Sequence, residues 1–197
     1  MANKDDRRVL YTKMFLREAL LTLMKEKPVD RITPTELCRT AGINRNTFYS
    51  HYYTVRELLE SIEKDLEEQI MKSLSEKMPN GTVFEILNEI CEIMLQQKDL
   101  CVILLSDNGD SAFLEKAIAI GKNIALSKWH KAGMKLSDET ADIVLGFMVA
   151  GSLSVMKRWA QSDMRQSPRQ IAEMIERISY GGVSAFELKI DSDLTPI

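Results

Sequence analysis

The sequence predicts an all-α protein. A three-helix N-terminal domain over residues 1–53 is joined, through a long helix at about 54–77, to a larger helical domain that runs to residue 197. Three observations predict this. Apolar residues recur at helical spacing along nearly the whole chain, and no segment shows sustained strand-like alternation. Residues 32–58 hold three helix starts and one tight glycine turn. Pro79-Asn80-Gly81 is the clearest break, and it separates that region from further helical segments.

The elements follow in order. Leu16, Leu20, Leu23 and Met24 form one stripe of a helix from about Arg7 to Lys25, which Pro28 closes off. Thr33 is placed to cap a second helix, with Pro34 at the first helical position, where a missing N–H costs nothing. Glu36 stands where it can bond back to the cap, and Ile32 and Leu37 where a hydrophobic staple would sit. Gly42 marks its end, where a left-handed backbone is wanted. Asn44 caps a third helix, about Arg45 to His51. Thr54 and Glu57 form a second capping box, with Tyr53 and Leu58 as its staple, and open a long helix to about Lys77 whose inward residues are Leu58, Leu59, Ile62, Leu66 and Ile70.

Beyond the break, Val83 to Gln97 reads as a helix with Phe84, Leu87, Cys91, Met94 and Leu95 on one face. Leu100 to Leu105 is a short apolar piece, and 107–110 a loop. A helix from about Ala112 to His130 follows, then an Ala132-Gly133-Met134 connector. Ser137-Asp138-Glu139 starts a helix that reaches about Gln161. Ser167-Pro168 opens the last, which ends near Tyr180-Gly181-Gly182, and residues 191–197 are expected to fray.

Composition narrows the class. Of 197 residues, 45% are hydrophobic and 28% charged, as in a globular domain. No apolar run approaches the roughly 18 residues that cross a bilayer, so no membrane partner is expected. The polar start Met1 to Asp6 has no apolar h-region, so no secretory signal is expected. Cys38, Cys91 and Cys101 form no CxxC pair, which fits small buried side chains in a reducing cytoplasm better than a disulfide or zinc framework. The net charge of −3 is uneven: residues 1–57 carry 11 Lys and Arg against 7 Asp and Glu, and residues 58–197 carry 15 against 22. A basic N-terminal end on an acidic protein suits a reader of DNA.

Two short helices joined by a glycine turn, locked by Leu37, Ala41, Ile43 and Phe48, form a helix-turn-helix pattern. The third helix is unusually polar. Phe48 and Tyr52 are its core anchors, and the rest are short donors and acceptors with an Arg and a Tyr. Arg grips guanine O6 and N7 with two bonds, and Asn grips adenine N6 and N7. Thr, Tyr, Ser and His suit phosphate oxygens.

The order Ile32-Thr33, Glu36-Leu37, Ala41-Gly42-Ile43-Asn44-Arg45, Thr47-Phe48-Tyr49, His51-Tyr52, Glu57-Leu58 resembles the helix-turn-helix of the TetR (tetracycline-repressor) family, in the Asn-Arg-x-Thr-Phe-Tyr-x-His-Tyr form common in Gram-positive bacteria. The resemblance covers residues 8–60 well. It implies a homodimer whose third helices enter successive major grooves of a palindromic operator in double-stranded DNA, with half-sites about one turn apart. It places Arg45, Asn46 and Ser50 at base edges. Thr47, Tyr49 and His51 would hold phosphates, with Thr33, Thr35, Arg7 and Arg8 adding to them and Asn44 completing the set. Two departures stand out: Val55, with Arg56 next, occupies a position where the family often has Lys, and Pro34 one where a β-branched residue is common.

The C-terminal half resembles the family more weakly, through Gly146-Phe147, Gly151, Trp159, Ser167-Pro168, Ile171-Ala172 and Ile175. The family's dimer interface on its last two helices implies Leu153, Met156, Ile171, Met174, Ile175 and Ile178 as interface residues. A pocket for an apolar or amphipathic effector is expected among Phe84, Leu87, Asn88, Cys91, Met94, Phe113, Ile120, Ile124, Phe147 and Met148, with Asn88, Asn123 and Trp159 as polar handles. Plain core packing remains the alternative for each of these stripes.

Three functions stay open at this stage: a repressor released by a small molecule, a co-regulator of the same fold acting through a protein partner, and an enzyme. The last is disfavoured. His51 and His130 are the only histidines, and no nucleophile–base set, phosphate-cradling loop or metal cluster is evident, so no cofactor or metal is expected.

Overall fold

A computed structural model of the chain describes residues 4–77, 80–131 and 137–190. Among these residues the fold is all-α, with nine helices, one short 3-10 turn and no strand. They form two compact units, Met1–Lys72 with Gln97–Leu114, and Ser73–Gln96 with Glu115–Ile197.

The first unit is built on α1 (Lys4–Met24), whose stripe of Leu16, Ala19, Leu20, Leu23 and Met24 is buried. A 3-10 turn (Val29–Arg31) leads to α2 (Pro34–Ala41) and α3 (Arg45–Tyr49). Thr33 caps α2 by accepting the Glu36 N–H at 3.2 Å. The Glu36 carboxylate lies within reach of the Thr33 backbone N–H, as the capping box expects, but its closest partner is Lys27. Both its oxygens accept from Lys27 Nζ, at 2.7 and 2.8 Å; this bond first, and the Thr33 backbone bond after it, lower the pKa, and the pair ties the chain after α1 to α2. α4 (Val55–Lys77) buries Val55, Leu58, Leu59, Ile62 and Leu66 in this unit. Thr54 and Glu57 do cap it, with Glu57 taking the Tyr53 N–H at 2.6 Å. The expected Tyr53–Leu58 staple is absent, because Tyr53 is 82% exposed and Val55 packs instead.

The short apolar piece is α6 (Lys98–Leu104), and it belongs to this unit: Leu100, Cys101, Ile103, Leu104 and Leu105 are all buried. Arg17 of α1 donates to Gln97 at 2.7 Å, and Gln97 donates to Gln69 of α4 at 3.3 Å, which fixes the start of α6. The unit therefore extends well past the expected boundary at 53/54, because the buried residues of α4 and α6 complete its core.

In the second unit, α5 (Val83–Gln96) packs chiefly against α9 (Pro168–Ile190), and α8 (Asp138–Gln161) also packs on α9. α7 (Ser111–Lys131) approaches α8 at Gly121, where an added Cβ would stand 2.7 Å from Val149 Cγ1. Thr82 and Glu85 cap α5 reciprocally, as Ser167 and Gln170 cap α9. Arg169 of α9 lies over the Phe84 ring at 5.8 Å. The α5 core face is Ile86, Cys91, Ile93 and Met94, while Leu95 is exposed. α5 is apolar on two sides, so periodicity alone left its inward face ambiguous.

Two other expectations change. α9 does not stop at Gly181-Gly182, because a helix absorbs interior glycines at roughly 1 kcal/mol each when the flanking sequence is helix-forming. α8 does contain a window long and apolar enough to cross a membrane, with mean hydropathy 1.4, although its window is only 17% buried. The connector at 132–134, Pro79, the Tyr180 side chain and residues 191–197 lie outside the described residues.

Two predictions follow from this packing. Burial pushes the Cys91 and Cys101 thiols up to about 12. Both should resist iodoacetamide in the native protein at pH 8 and react in urea, as read by mass spectrometry. Gly42 has φ +66, so Gly42→Ala should cost roughly 1–2 kcal/mol in urea unfolding, although nothing lies within 4 Å of the added methyl.

Candidate nucleic-acid interface

α3 has five residues, too short to persist alone, and three local devices fix it. At the preceding turn, the Ile43 N–H donates to Cys38 O at 2.9 Å and the Gly42 N–H to Arg39 O at 3.3 Å, a Schellman closure that needs a left-handed Gly42. Asn44 then caps α3 by accepting the Asn46 N–H at 2.8 Å. Phe48 is fully buried and meets Tyr52, itself 7% exposed, at a ring distance of 6.1 Å.

With Phe48 pinned inward, the helical period turns Asn46 and Ser50 to the opposite face and Tyr49 to its flank, Arg45 stands one turn before Phe48, and all four are exposed. Thr47 and His51 flank that face and are half-buried. The Tyr49 ring sits edge-on to Phe48 at 5.3 Å. Arg45 lies over the Tyr49 ring at 5.7 Å and donates to its hydroxyl at 3.4 Å, which aligns the guanidinium along the exposed surface. Ser50 Oγ donates to Thr47 O at 2.7 Å, which leaves its lone pairs to accept. Asn44 serves as the cap and is still exposed. Thr33 and Thr35 are exposed at the start of α2.

An open depression beside this turn is lined by Arg7, Arg8, Tyr11, Thr12 and Phe15 of α1 with Gly42 and Ile43. It brings the two early arginines next to the entry of α3. The surface therefore offers one bidentate cation, side-chain amides and hydroxyls on a short rigid helix, and two further cations nearby. That donor set fits base edges and phosphates.

The second unit treats its expected residues differently. Cys91 and Met94 are buried, while Phe84, Leu87, Asn88, Ile120, Ile124 and Met148 are half-buried. Phe113 belongs to the first unit. Asn88 Oδ1 is buried with no hydrogen-bond partner among the described residues. Phe147 is 79% exposed and so does not line an interior of the second unit. Trp159 is not a free handle: its indole N–H donates to Gln166 O at 3.0 Å. Asn123 is exposed.

Of the expected interface residues, Met156, Ile171 and Ile175 pack inside the protomer, at 6%, 3% and 2% exposure, and Leu153 is half-buried. Met174 and Ile178 are exposed, as are Ile143, Phe147, Ala150, Gly151 and Ser154 along one stripe of α8. α8 is apolar nearly all round, so its period alone does not separate the stripe the protomer buries, with Met156, from the stripe it leaves exposed.

Residues 81–181 match the TetR_C_8 family, described as a transcriptional regulator C-terminal region. Over 100 residues, half of this chain, the sequence is 32% identical to the uncharacterized HTH-type transcriptional regulator YxbF of Bacillus subtilis (strain 168), of whose length that stretch is 24%. Among solved structures, a TetR transcriptional regulator from Streptococcus agalactiae is similar in fold, with TM-score 0.66 and 22% identity over 89% of this chain and 97% of that one. The fatty acid degradation regulator FadR from Bacillus halodurans also has TM-score 0.66, with 13% identity over 87% of this chain and 95% of the other.

The interface geometry makes two variants diagnostic. Arg45→Ala should weaken binding to a preferred duplex by roughly 1–3 kcal/mol and relax base preference at one position per half-site, measured by competition binding. Tyr49→Phe removes the hydroxyl expected to hold a phosphate, while the ring under Arg45 stays, and should weaken all sequences alike; a changed consensus would contradict the phosphate role.

Proposed function

Since the chain belongs to the TetR family of transcriptional regulators, we propose that it is a homodimeric, sequence-specific DNA-binding repressor released by a small apolar or amphipathic effector. The observation that carries the reading is the split character of α3. Phe48 is fully buried, while Arg45, Asn46, Tyr49 and Ser50 face outward together. A helix used only for packing has no need of that second face. Residues 1–53 then carry the reading head, in a unit whose core α4 and α6 complete, and the second unit serves sensing and dimerisation.

Dimerisation supplies the affinity that one short helix lacks, since two heads related by a twofold axis read two half-sites. The exposed stripe Ile143, Phe147, Ala150, Gly151 and Ser154, with Met174 and Ile178, supports α8 and α9 as the dimer face. Burying each large apolar side chain there contributes roughly 1.5–3 kcal/mol. A second copy also accounts for the membrane-length apolar window of α8 without a bilayer.

The effector reading rests on α5. An unpaired buried acceptor costs about 1–3 kcal/mol, and Asn88 Oδ1 is one, beside half-buried Leu87 on the same helix. An amphipathic molecule that donates to Asn88 while covering apolar side chains would remove that cost. A partner-dependent co-regulator is the second reading, and the exposed, intact reading face of α3 argues against it.

The test is selection of bound duplexes from a random library by the purified full chain at stated salt. A palindromic consensus is expected. No enrichment from a folded dimer would favour the co-regulator. For the dimer face, Phe147→Glu or Ile178→Glu should give folded monomers by light scattering. Ile175→Glu should instead unfold the second unit, because Ile175 is 2% exposed within the protomer.

A further inference from the structure

The chain passes between the two units at three places: within α4 after Lys72, between α5 and α6 after Gln96, and within α7 after Leu114. Helices transmit displacement along their axes, so the way the first turn of α7 is held in the first unit determines what a movement of α7 does there. Asp110 holds that turn. Its Oδ1 accepts the Ala112 N–H at 3.1 Å, and its backbone carbonyl accepts the Leu114 N–H at 3.4 Å. Its Oδ2 accepts from Arg56 Nη1 at 2.7 Å, and its side chain is only 10% exposed.

Arg56 sits in the first turn of α4. Its other edge forks onto a single oxygen, donating to Asp30 Oδ1 from Nη2 at 2.7 Å and from Nε at 3.2 Å. Asp30 lies in the 3-10 turn that leads directly into buried Ile32 and the α2 cap Thr33. The two carboxylates, Asp30 first, keep the guanidinium firmly charged. Asn108 adds a second hold on the same loop by donating to Lys25 O at 3.4 Å, just beyond α1. Gly109 between them is obligatory, since a Cβ there would come within 2.0 Å of Leu104 O.

We propose that Arg56 is a positioning residue that joins Asp110, at the start of α7, to Asp30, at the entry to the helix-turn-helix, so that a shift of α7 reorients α2 and α3. This rests on the reading above, in which α3 reads DNA and the second unit senses an effector. The residue one step beyond the family's usual lysine position thus has its charge engaged by two carboxylates of its own chain. A phosphate contact would have to displace them.

Asp110→Asn keeps the α7 cap, because Asn caps as well as Asp, and removes the charge that holds Arg56. Arg56→Gln removes the other partner. On the selected duplex, each variant should weaken binding by roughly 2- to 30-fold, the span of coupling effects. The double variant should be no worse than the weaker single one, and the salt dependence should match wild type. A salt slope reduced by about one in Arg56→Gln but not in Asp110→Asn would overturn the proposal and make Arg56 a phosphate contact. Wild-type affinity in both variants would overturn it too.

Hydrogen exchange without DNA tests the link separately. Amides of residues 29–50 should exchange faster in Asp110→Asn, while residues 16–24 of α1 stay as in wild type. Unchanged exchange at 29–50 would overturn the link. If wild type selects no duplex, the DNA-reading proposal fails and the exchange result still decides the link.

Discussion

Everything the first unit offers to a duplex depends on the burial of Phe48. A helix as short as α3 has too few hydrogen bonds to offset its own ordering. The ring of Phe48, met by Tyr52 and Tyr49, supplies the missing free energy and fixes the helix about its axis. Once that rotation is set, the 3.6-residue period decides which side chains face out. Gly42 and Asn44 fix where the helix starts, through a left-handed closure on one side and a side-chain cap on the other. Polar residues at the remaining positions can then be chosen for recognition without harm to the fold.

A short anchored helix is also a sensitive one. Its position depends on α2, which packs against α1 through Leu37 and Cys38 and is tied further by the Lys27–Glu36 pair and by the turn that carries Asp30. α6 reinforces this arrangement. Although it is continuous with helices of the second unit on both sides, its four buried residues, with Leu105 just after it, belong to the core of the first unit. The chain itself crosses between the two units three times.

Much of this was legible in the sequence because local chemistry decides it. Caps at Thr33, Asn44, Thr54 and Ser137 and the glycine turn at Gly42 lie where their spacing placed them, and the α1 stripe is buried as its period requires. What the sequence did not reveal depends on tertiary contacts. Periodicity does not choose between the apolar sides of α8, so it does not reveal that Phe147 is exposed, and the family resemblance that points to Ile175 does not reveal that the protomer itself buries it. Gly181-Gly182 looked like a stop because helix ends are judged locally, whereas α9 runs on to Ile190. The tie from Arg56 to Asp110 spans 54 residues of sequence, and no local pattern encodes it. For α3, the alternation of anchor and polar residues was visible, but the stacking of Arg45 on Tyr49 was not.

In the proposed function two copies of α3, held by one dimer, read DNA together. The most direct measurement is calorimetric titration of the full chain against its selected palindrome and against the isolated half-site, at one salt concentration. The account predicts two chains per palindrome and an affinity for the half-site weaker by orders of magnitude. Equal affinity for the half-site and the palindrome, with one chain bound to each, would contradict it.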